Sequence, residues 1–425
     1  MRQDELFALV DCNNFYAACE RVFAPELEGK PIGILSNNDG IIVALSDELK
    51  QLGINRGVPL FKIKDQIRKY DIRIFSSNYT LYGDMSSRVM KILSRFTPDF
   101  EIYSIDEAFL RLSEFRHLDL TAYARKIKHV VHQWTGLPVS IGIGPTKTLA
   151  KLANHVAKRR KDLAGVFDLT DHPRKDNILA SIDVKRVWGV GPQYAKLLHR
   201  NGFHNVLQLA GAPRKWIKKK MTVVGLRTVL ELNGTSCIDL EQDLDPKKEI
   251  VSSKSFGQPV TELKDLQEAV NSYCIRAAQK LREEKQVTGQ IMVYVTTNRF
   301  KNEPQYANYE FYKLPLPTAY TPDLLQAAAR ILKNIYRRGY KYKKVGVMLS
   351  EISPEVNIPP DLFTPTYLDD RRRVIMACMD AINHKMGMNK LTYAGVGTVQ
   401  NWKMKREMLT PHYTTRWQDL PIVKA

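Results

Sequence analysis

Apolar and polar positions along the chain alternate between two periods, and the period changes several times. Leu6-Phe7-Ala8-Leu9-Val10 is an unbroken apolar run closed by Asp11, the pattern of a buried strand. A second strand is predicted at Pro31-Ile32-Gly33-Ile34-Leu35, followed by the polar turn Ser36-Asn37-Asn38-Asp39-Gly40. A helical pattern broken by turns runs through residues 41–70, and a helix is predicted from about Tyr82 to Phe96. A strand pair around 101–112, a helix at 121–134, a strand at 137–143 and a helix at 146–160 follow, an alternation that closes one mixed sheet.

Residues 173–235 read as short-looped helices, with a Gly-Val-Gly hairpin and the basic run Arg214-Lys215-Trp216-Ile217-Lys218-Lys219-Lys220. Residues 238–248, acidic and then basic around Pro246, read as a linker. From 249 to 352 the pattern returns to α/β: a strand at Val251 to Phe256, a helix at 262–284, alternation from Gln290 to Arg299, an extended stretch at 308–314, a helix at 322–338 opened by Thr321-Pro322, and a strand at 343–350. Two helices on one face of a four-stranded sheet is the economical packing. Residues 353–425 begin with Pro354, Pro359, Pro360 and Pro365 and predict one helix (about 367–386) in an otherwise extended tail. No internal repeat is visible.

A chain of 425 residues is too long for one core, so three or four domains are expected. Apolar content of 44% is ordinary, but 64 Lys+Arg against 45 Asp+Glu leave a net charge of +19. Such a charge opposes compaction unless a polyanion offsets it, which makes nucleic acid the first partner to consider. The cysteines at 12, 19, 237, 274 and 378 form no CxxC pair, which argues against a zinc site. Their odd number suits a reducing, cytoplasmic setting better than a disulfide framework. No secretory signal and no run of about 18 apolar residues are apparent.

The candidate chemistry lies in three carboxylates. Asp11 ends a buried strand, and Asp106-Glu107 interrupt Ile102-Tyr103-Ser104-Ile105 and Ala108-Phe109-Leu110. Adjacent strand residues point to opposite faces, but at a hairpin tip both can turn toward one end of the sheet. Such a cluster is tolerated if divalent cations neutralise it, and hard oxygen ligands suit Mg²⁺ or Mn²⁺. Two such ions can activate a hydroxyl and stabilise a leaving pyrophosphate. The alternative is that acidic residues mark strand ends by chance. On a helix from Thr146 to Lys161, Lys147, Lys151, Asn154 and Lys158 fall within about 60° of one another, opposite Leu149, Leu152, Ala153 and Val156. One face would pack on the sheet and the cationic stripe would face out, either as a solvated surface or toward phosphate.

Asp11-Cys12-Asn13-Asn14-Phe15-Tyr16-Ala17-Ala18-Cys19-Glu20 resembles the first signature of the Y-family, lesion-bypass DNA polymerases, and Ser104-Ile105-Asp106-Glu107-Ala108 resembles the second. Thr146-Lys147-Thr148-Leu149-Ala150-Lys151-Leu152-Ala153-Asn154 is similar to the form found in the UmuC branch. The resemblance implies an error-prone translesion enzyme of the SOS DNA-damage response, without proofreading and dependent on two Mg²⁺ ions. It implies metal ligation by Asp11, Asp106, Glu107 and the Cys12 backbone carbonyl. It also implies nucleotide contacts by Phe15, Tyr16, Lys50 and Lys158, with Tyr16 as a steric gate against the 2′-hydroxyl; Glu20 reads as structural. The chain departs from the usual family pattern at Asp47 and Lys50, where a Tyr and an Arg are usual; the UmuC branch also carries Lys at the latter place, but usually has an Arg where this chain has Leu45, and Lys50 supplies charge without the guanidinium fork.

By the same resemblance the fold is a multidomain α/β right hand. Residues 1–24 and 81–170 would form the mixed-sheet palm, 25–80 small fingers, 171–240 a helical thumb, 241–248 a linker, 249–352 an α/β little finger and 353–425 a partner-binding tail. Val187-Trp188-Gly189-Val190-Gly191 resembles a helix-hairpin-helix, so Gly189 and Gly191 would let backbone N–H groups approach a phosphate. Lys147, Lys151, Ser253, Lys254 and Ser255 are further candidate DNA contacts; a Lys-guarded edge strand is the alternative for the last three. Ile358-Pro359-Pro360-Asp361-Leu362-Phe363 falls where relatives carry a sliding-clamp motif, with Leu362 and Phe363 as its apolar pair. Trp402-Lys403-Met404-Lys405-Arg406 through Trp417 resembles the UmuC C-terminus. The implied partners are primer-template DNA, deoxynucleoside triphosphates, a UmuD-type accessory dimer, a RecA filament and the clamp. Other readings of the carboxylates are a nucleotide cyclase, a nuclease or a non-catalytic DNA-binding scaffold.

Overall fold

The computed structural model describes residues 5–241, 246–355, 370–387, 390–398 and 400–422. The chain divides into two compact units. One comprises Met1–Ser36, Gly40–Leu244 and Met408–Ala425; the other comprises Asn37–Asp39 and Asp245–Glu407.

The first unit begins with β1 (Phe7–Cys12), α1 (Phe15–Phe23), β2 (Ile32–Leu35), β3 (Ile42–Leu45), α2 (Asp47–Gln51), α3 (Lys64–Lys69), β4 (Arg73–Ser76) and α4 (Tyr79–Leu93). It continues with β5 (Phe100–Ile102), β6 (Glu107–Arg111), α5 (Leu120–Thr135), β7 (Val139–Gly144), α6 (Lys147–Arg159) and β8 (Val166–Asp168). The helices α7 (Lys175–Ala180), α8 (Pro192–Arg200), α9 (Val206–Ala210) and α10 (Arg214–Leu232) complete it. The main sheet has the order β5-β6-β1-β7-β8, antiparallel except for the parallel β7–β8 pair. Because β1 is central, all six of its residues are buried, which is why its sequence reads as a continuous apolar run.

Side-chain alternation divides the residues of β1 between two cores. Ala8 and Val10, with Leu6 just before the strand, join the apolar residues of α1, α4 and α5. Phe7 and Leu9 turn to the other face, with Phe109 and Ala150 of α6. The opposite side of α6 is buried too, since Leu149, Leu152 and Val156 belong to the core of α7–α10. Thr146 caps α6 by accepting from Leu149 N at 3.1 Å, and the buried Glu231 carboxylate accepts from Thr148 N at 3.1 Å. The helix lies so close to β7 that a Cβ on Gly142 would stand 1.9 Å from the Asn154 backbone nitrogen.

A second sheet, β3-β2-β4, pairs β2 with β3 antiparallel and with β4 parallel. The helical pattern expected over 41–70 is therefore corrected by β3. Its four-residue apolar run is too short for period alone to separate strand from helix, and strand pairing decided.

The second unit contains β9 (Ile250–Val260), α11 (Leu263–Glu283), β10 (Gln286–Thr297), β11 (Ala307–Thr318), α12 (Thr321–Ile335), β12 (Tyr342–Pro354) and α13 (Asp370–Met386). The sheet order is β11-β10-β12-β9, all antiparallel, and α11 and α12 share its core, as the alternation predicts. The tail is not simply extended: Trp402 is buried in this core, and the Asn271 amide donates to the Gly395 carbonyl at 2.6 Å.

Gly142→Ala has no flexible neighbour to displace and should destabilise the chain by about 1–3 kcal/mol or more. Gly83→Ala, on exposed α4 surface with nothing within 4 Å, should stabilise by about 1 kcal/mol. Urea denaturation of the two variants checks the pair.

Candidate active site

Two of the three carboxylates meet because of strand register. Asp11 and Glu107 are direct partners in the β1–β6 ladder, and both share the face on which Phe7, Leu9 and Phe109 meet α6. Asp106 precedes β6 in the tip of the β5–β6 hairpin, and its carbonyl accepts from Cys12 N at 2.9 Å. The Ser104 hydroxyl donates to Asp106 Oδ1 at 2.7 Å and accepts from Glu107 N at 3.0 Å, which fixes the tip.

α6 answers this charge with lysines. Lys158 pairs with Asp11, and Lys151 Nζ lies 2.9 Å from Glu107 Oε2. Burial pushes the Asp11 carboxyl up to about 7, opposed by Lys158 and reinforced by Glu107. At Glu107 burial acts in the same sense, but hydrogen bonds with Asp11 and Lys151 outweigh it and hold that carboxyl low. Of the two carboxyls, Asp11 is therefore the more basic. His155, on the same helix, is pushed down to about 4 by burial, Arg159, Arg186 and Lys158, so it is neutral.

The outward cationic stripe expected on α6 is corrected by this packing. Lys147 is buried, with only 1% of its side chain exposed. It pairs with Glu101 and donates to the Asp239 carbonyl at 2.9 Å, so its side chain is not available to DNA. Asn154 is also buried and donates to the Leu9 and Ser140 carbonyls at 3.2 and 2.7 Å. Lys151 is 17% exposed and lies 4.1 Å from the Tyr103 ring centre and 5.2 Å from that of Trp188. It is a counter-ion to Glu107 rather than a free surface cation. Of the stripe, Lys158 is the residue with substantial exposure, at 34%. The physical reason is that both faces of α6 are covered.

Tyr16, half-buried on α1, stacks on Tyr82 at 4.3 Å with 16° between the planes, and Tyr79 meets its edge at 6.3 Å. Its phenol is raised by burial, Tyr79 and Asp106, and is partly offset by Arg56. Phe15 is a core residue, 3% exposed, so its ring cannot line a nucleotide pocket. Glu20 is buried, accepts from the Tyr82 hydroxyl at 2.6 Å, and is pushed up to about 7 by burial. Its structural reading is consistent with this setting. Asn14 precedes α1 in a left-handed conformation and does not cap it; its side chain accepts from Lys50 instead. Lys50 also pairs with Asp47 at 2.8 Å, so the two departures in this region are partners. Sequence reasoning missed Arg56 and Asn14: each is polar in a turn-rich stretch, and what distinguishes them is proximity to Tyr16 and Lys50.

Gly189 adopts φ +83°, a conformation that favours glycine, and Gly191 directly precedes α8, whose N-terminus has no side-chain cap. In the second unit Ser253, Lys254 and Ser255 lie on β9, an edge of the sheet. Lys254 is held below its ordinary value by loss of solvent around its ammonium and by Arg406, Arg276 and Lys403, cations that sequence spacing did not associate with it. Leu362 and Phe363 lie outside the described residues. All five cysteines are free. No helix among the described residues is long and apolar enough to cross a membrane.

Among the described residues no group of three or more His, Cys, Asp or Glu side chains is assembled as a metal cage. The donor chemistry nonetheless fits a hard cation. Asp11 and Glu107 present paired carboxylate oxygens, Asp106 adjoins Glu107 in the chain and accepts from the Ser104 hydroxyl, and the negative charge of the pair is neutralised by two lysines that a divalent ion could replace.

Residues 10–155 match the impB/mucB/samB family, and residues 247–362 match the impB/mucB/samB family C-terminal domain. Residues 373–423 match a domain of unknown function, DUF4113. The chain is 46% identical to Protein UmuC of Salmonella typhimurium over 99% of this chain and 100% of that protein. It is 28% identical to DNA polymerase IV of Moorella thermoacetica over 91% and 96% of the two chains. A solved Y-family DNA polymerase chimera, Dbh-Dpo4(243-245)-Dbh, shares the fold with a TM-score of 0.64 at 20% identity, over 82% of this chain and 99% of that one.

Two predictions follow from the site's charges. Lys147→Met leaves the buried Glu101 without its cation, the Glu241 N–H at 2.8 Å still donating to it, and should cost about 3–5 kcal/mol in denaturant unfolding, with much of the loss recovered in Lys147→Met/Glu101→Gln. Asp11 and Glu20 have raised folded values, so their contribution to stability is full below the ordinary carboxylate range. It is lost as pH rises from about 4 to about 7. Without divalent ions the melting temperature should therefore fall over that window, and Asp11→Asn/Glu20→Gln should flatten the fall in a thermal-shift series.

Proposed function

The chain belongs to the impB/mucB/samB family and is a UmuC-type translesion DNA polymerase of the Y family, and we propose that it joins deoxynucleotides to a primer 3′-hydroxyl by two-metal catalysis at Asp11, Asp106 and Glu107. The observation that carries the site reading is the register pair Asp11–Glu107, neutralised by Lys158 and Lys151 and followed directly by the uncapped start of α1. The three carboxylates and the Cys12 carbonyl would hold two Mg²⁺ ions, with Mn²⁺ an acceptable substitute. When bound, the ions would stabilise the developing charge and make the 3′-hydroxyl a better nucleophile.

The chain's own groups do the positioning. Lys158, the more exposed of the two counter-ions, would turn to the triphosphate of the incoming nucleotide. The start of α1, which has no side-chain cap, would favour an anion, and Lys50 would support it as a point charge. The Tyr16 ring, stacked on Tyr82, would leave no room for a 2′-hydroxyl under the incoming sugar. Duplex contacts would come from the backbone at Gly189 and Gly191 and from Ser253, Lys254 and Ser255, with Arg276, Lys403 and Arg406 adding charge. Weak geometric selection in an open site accounts for low fidelity.

In this reading residues 1–24 and 81–170 are the palm, 25–80 the fingers, 171–240 the thumb, 249–352 the little finger and 353–425 a partner-binding tail. Primer-template DNA and deoxynucleoside triphosphates are the substrates. A UmuD-type dimer, a RecA filament and a clamp bound through Leu362 and Phe363 are partners of the same proposal. So are a cytoplasmic setting and a role in the SOS response.

Primer extension across an abasic site, with Mg²⁺ and the accessory subunit, tests the reading. Wild type should extend past the lesion; Asp106→Ala should lose at least about a thousandfold in rate with duplex binding unchanged. Loss of duplex binding in that variant would make Asp106 structural. Extension by neither protein on undamaged template, with binding intact, would favour a scaffold. Tyr16→Ala should admit ribonucleotides, and unchanged sugar selectivity would remove it as the gate.

A further inference from the structure

Residues of the tail are built into the support of the Tyr16 ring. Met408 pairs with the end of β4: Ser76 N donates to the Met408 carbonyl at 2.9 Å, and Met408 N donates to Ser76 Oγ at 3.1 Å. Thr410 Oγ1 donates to Glu20 Oε1 at 3.3 Å, the same oxygen that accepts from the Tyr82 hydroxyl at 2.6 Å. The Asn78 amide donates to the Thr410 carbonyl and hydroxyl at 3.1 and 3.0 Å and to the Pro411 carbonyl at 3.1 Å. Asn78 also caps α4, accepting from Leu81 N at 3.2 Å, and His412 Nδ1 lies 3.1 Å from the same Asn78 oxygen. Tyr413 stacks on Phe23, the last residue of α1, at 4.8 Å and 11°.

The segment therefore grips both helices that hold the aromatic stack. It reaches α1 through Glu20 and Phe23, and α4 through Asn78. Tyr16 can make room for a larger sugar only by retreating, and Tyr82 stands directly behind it. Tyr82 in turn is fixed by its hydroxyl on Glu20, a buried carboxylate that accepts from both Tyr82 and Thr410. We propose that residues 408–413, within the stretch matching the domain of unknown function, are a positioning element for the sugar gate: by holding Glu20 and Asn78 they keep Tyr82 against Tyr16 and set how strictly a ribonucleotide is refused. This rests on Tyr16 acting as the gate.

The test reads the ratio of kcat/KM for a ribonucleotide to that for its deoxynucleotide, on undamaged primer-template with the full chain and Mg²⁺. A change that merely loosens the fold lowers both efficiencies and leaves the ratio alone. Thr410→Val and Tyr82→Phe each remove one hydrogen bond to Glu20 and should raise ribonucleotide use about three- to tenfold; Thr410→Ser should keep the parent ratio. Tyr16→Ala should raise it further. A shift in Tyr16→Ala with parent ratios in Thr410→Val and Tyr82→Phe overturns the positioning role and leaves the gate standing. No shift in Tyr16→Ala overturns the gate and this inference with it. For any variant that extends too slowly, the ratio of ribonucleotide to deoxynucleotide dissociation constants on the primer-template complex is read against the same expectations.

Discussion

Asp11 and Glu107 stand opposite each other on neighbouring strands, and two carboxylates that close cannot both remain ionised without a cation beside them. Lys158 and Lys151 supply that cation from α6. The need to bring α6 within reach shapes much of the first unit. The helix must lie almost on the backbone of β7, which accounts for the bare Cα at Gly142 and the buried amide of Asn154. With its polar face pressed to the sheet, the helix buries its leucines in the next helical cluster, so one element joins two cores.

The same arrangement explains why the site can exchange one kind of positive charge for another. Lysine ammoniums are flexible point charges on long stems, and they neutralise carboxylates without completing a coordination shell. A hard divalent ion has more charge and demands several oxygens. Buried Asp11, raised to about 7, is the group with most to gain from that exchange. Lys147 belongs to a different category despite its identical chemistry: sealed against Glu101, it is a structural ion pair.

The aromatic stack beneath Tyr16 shows a second kind of dependence, between residues far apart in sequence. Tyr82 takes its position from Glu20, and Glu20 shares an oxygen with Thr410. Each link is an ordinary hydrogen bond, but none of the groups lies in open water, so each is stronger and less easily replaced than it would be on a surface. A buried carboxylate with two hydroxyl donors is a rigid support for a ring that must not yield.

Much of the architecture was legible in the sequence, because period reports what an element buries. The continuous run before Asp11 announced a buried strand, the alternation in Gln290 to Arg299 announced a sheet with one covered face, and the apolar flanks of Asp106-Glu107 marked charge in a place where charge is costly. The spacing of Lys147, Lys151, Asn154 and Lys158 correctly put them on one helical face. What it could not say was what covers that face: 3.6 residues per turn fixes which side chains are neighbours, not whether solvent, DNA or a sheet lies opposite. Tertiary packing alone turned Lys147 inward, gave Lys151 and Lys158 to different carboxylates, made a strand of Ile42–Leu45 and brought Thr410 to Glu20. The last contact spans 390 positions, and no local pattern carries a signal over that distance, because the hydrogen bond exists only once both segments have been folded against the same helix pair.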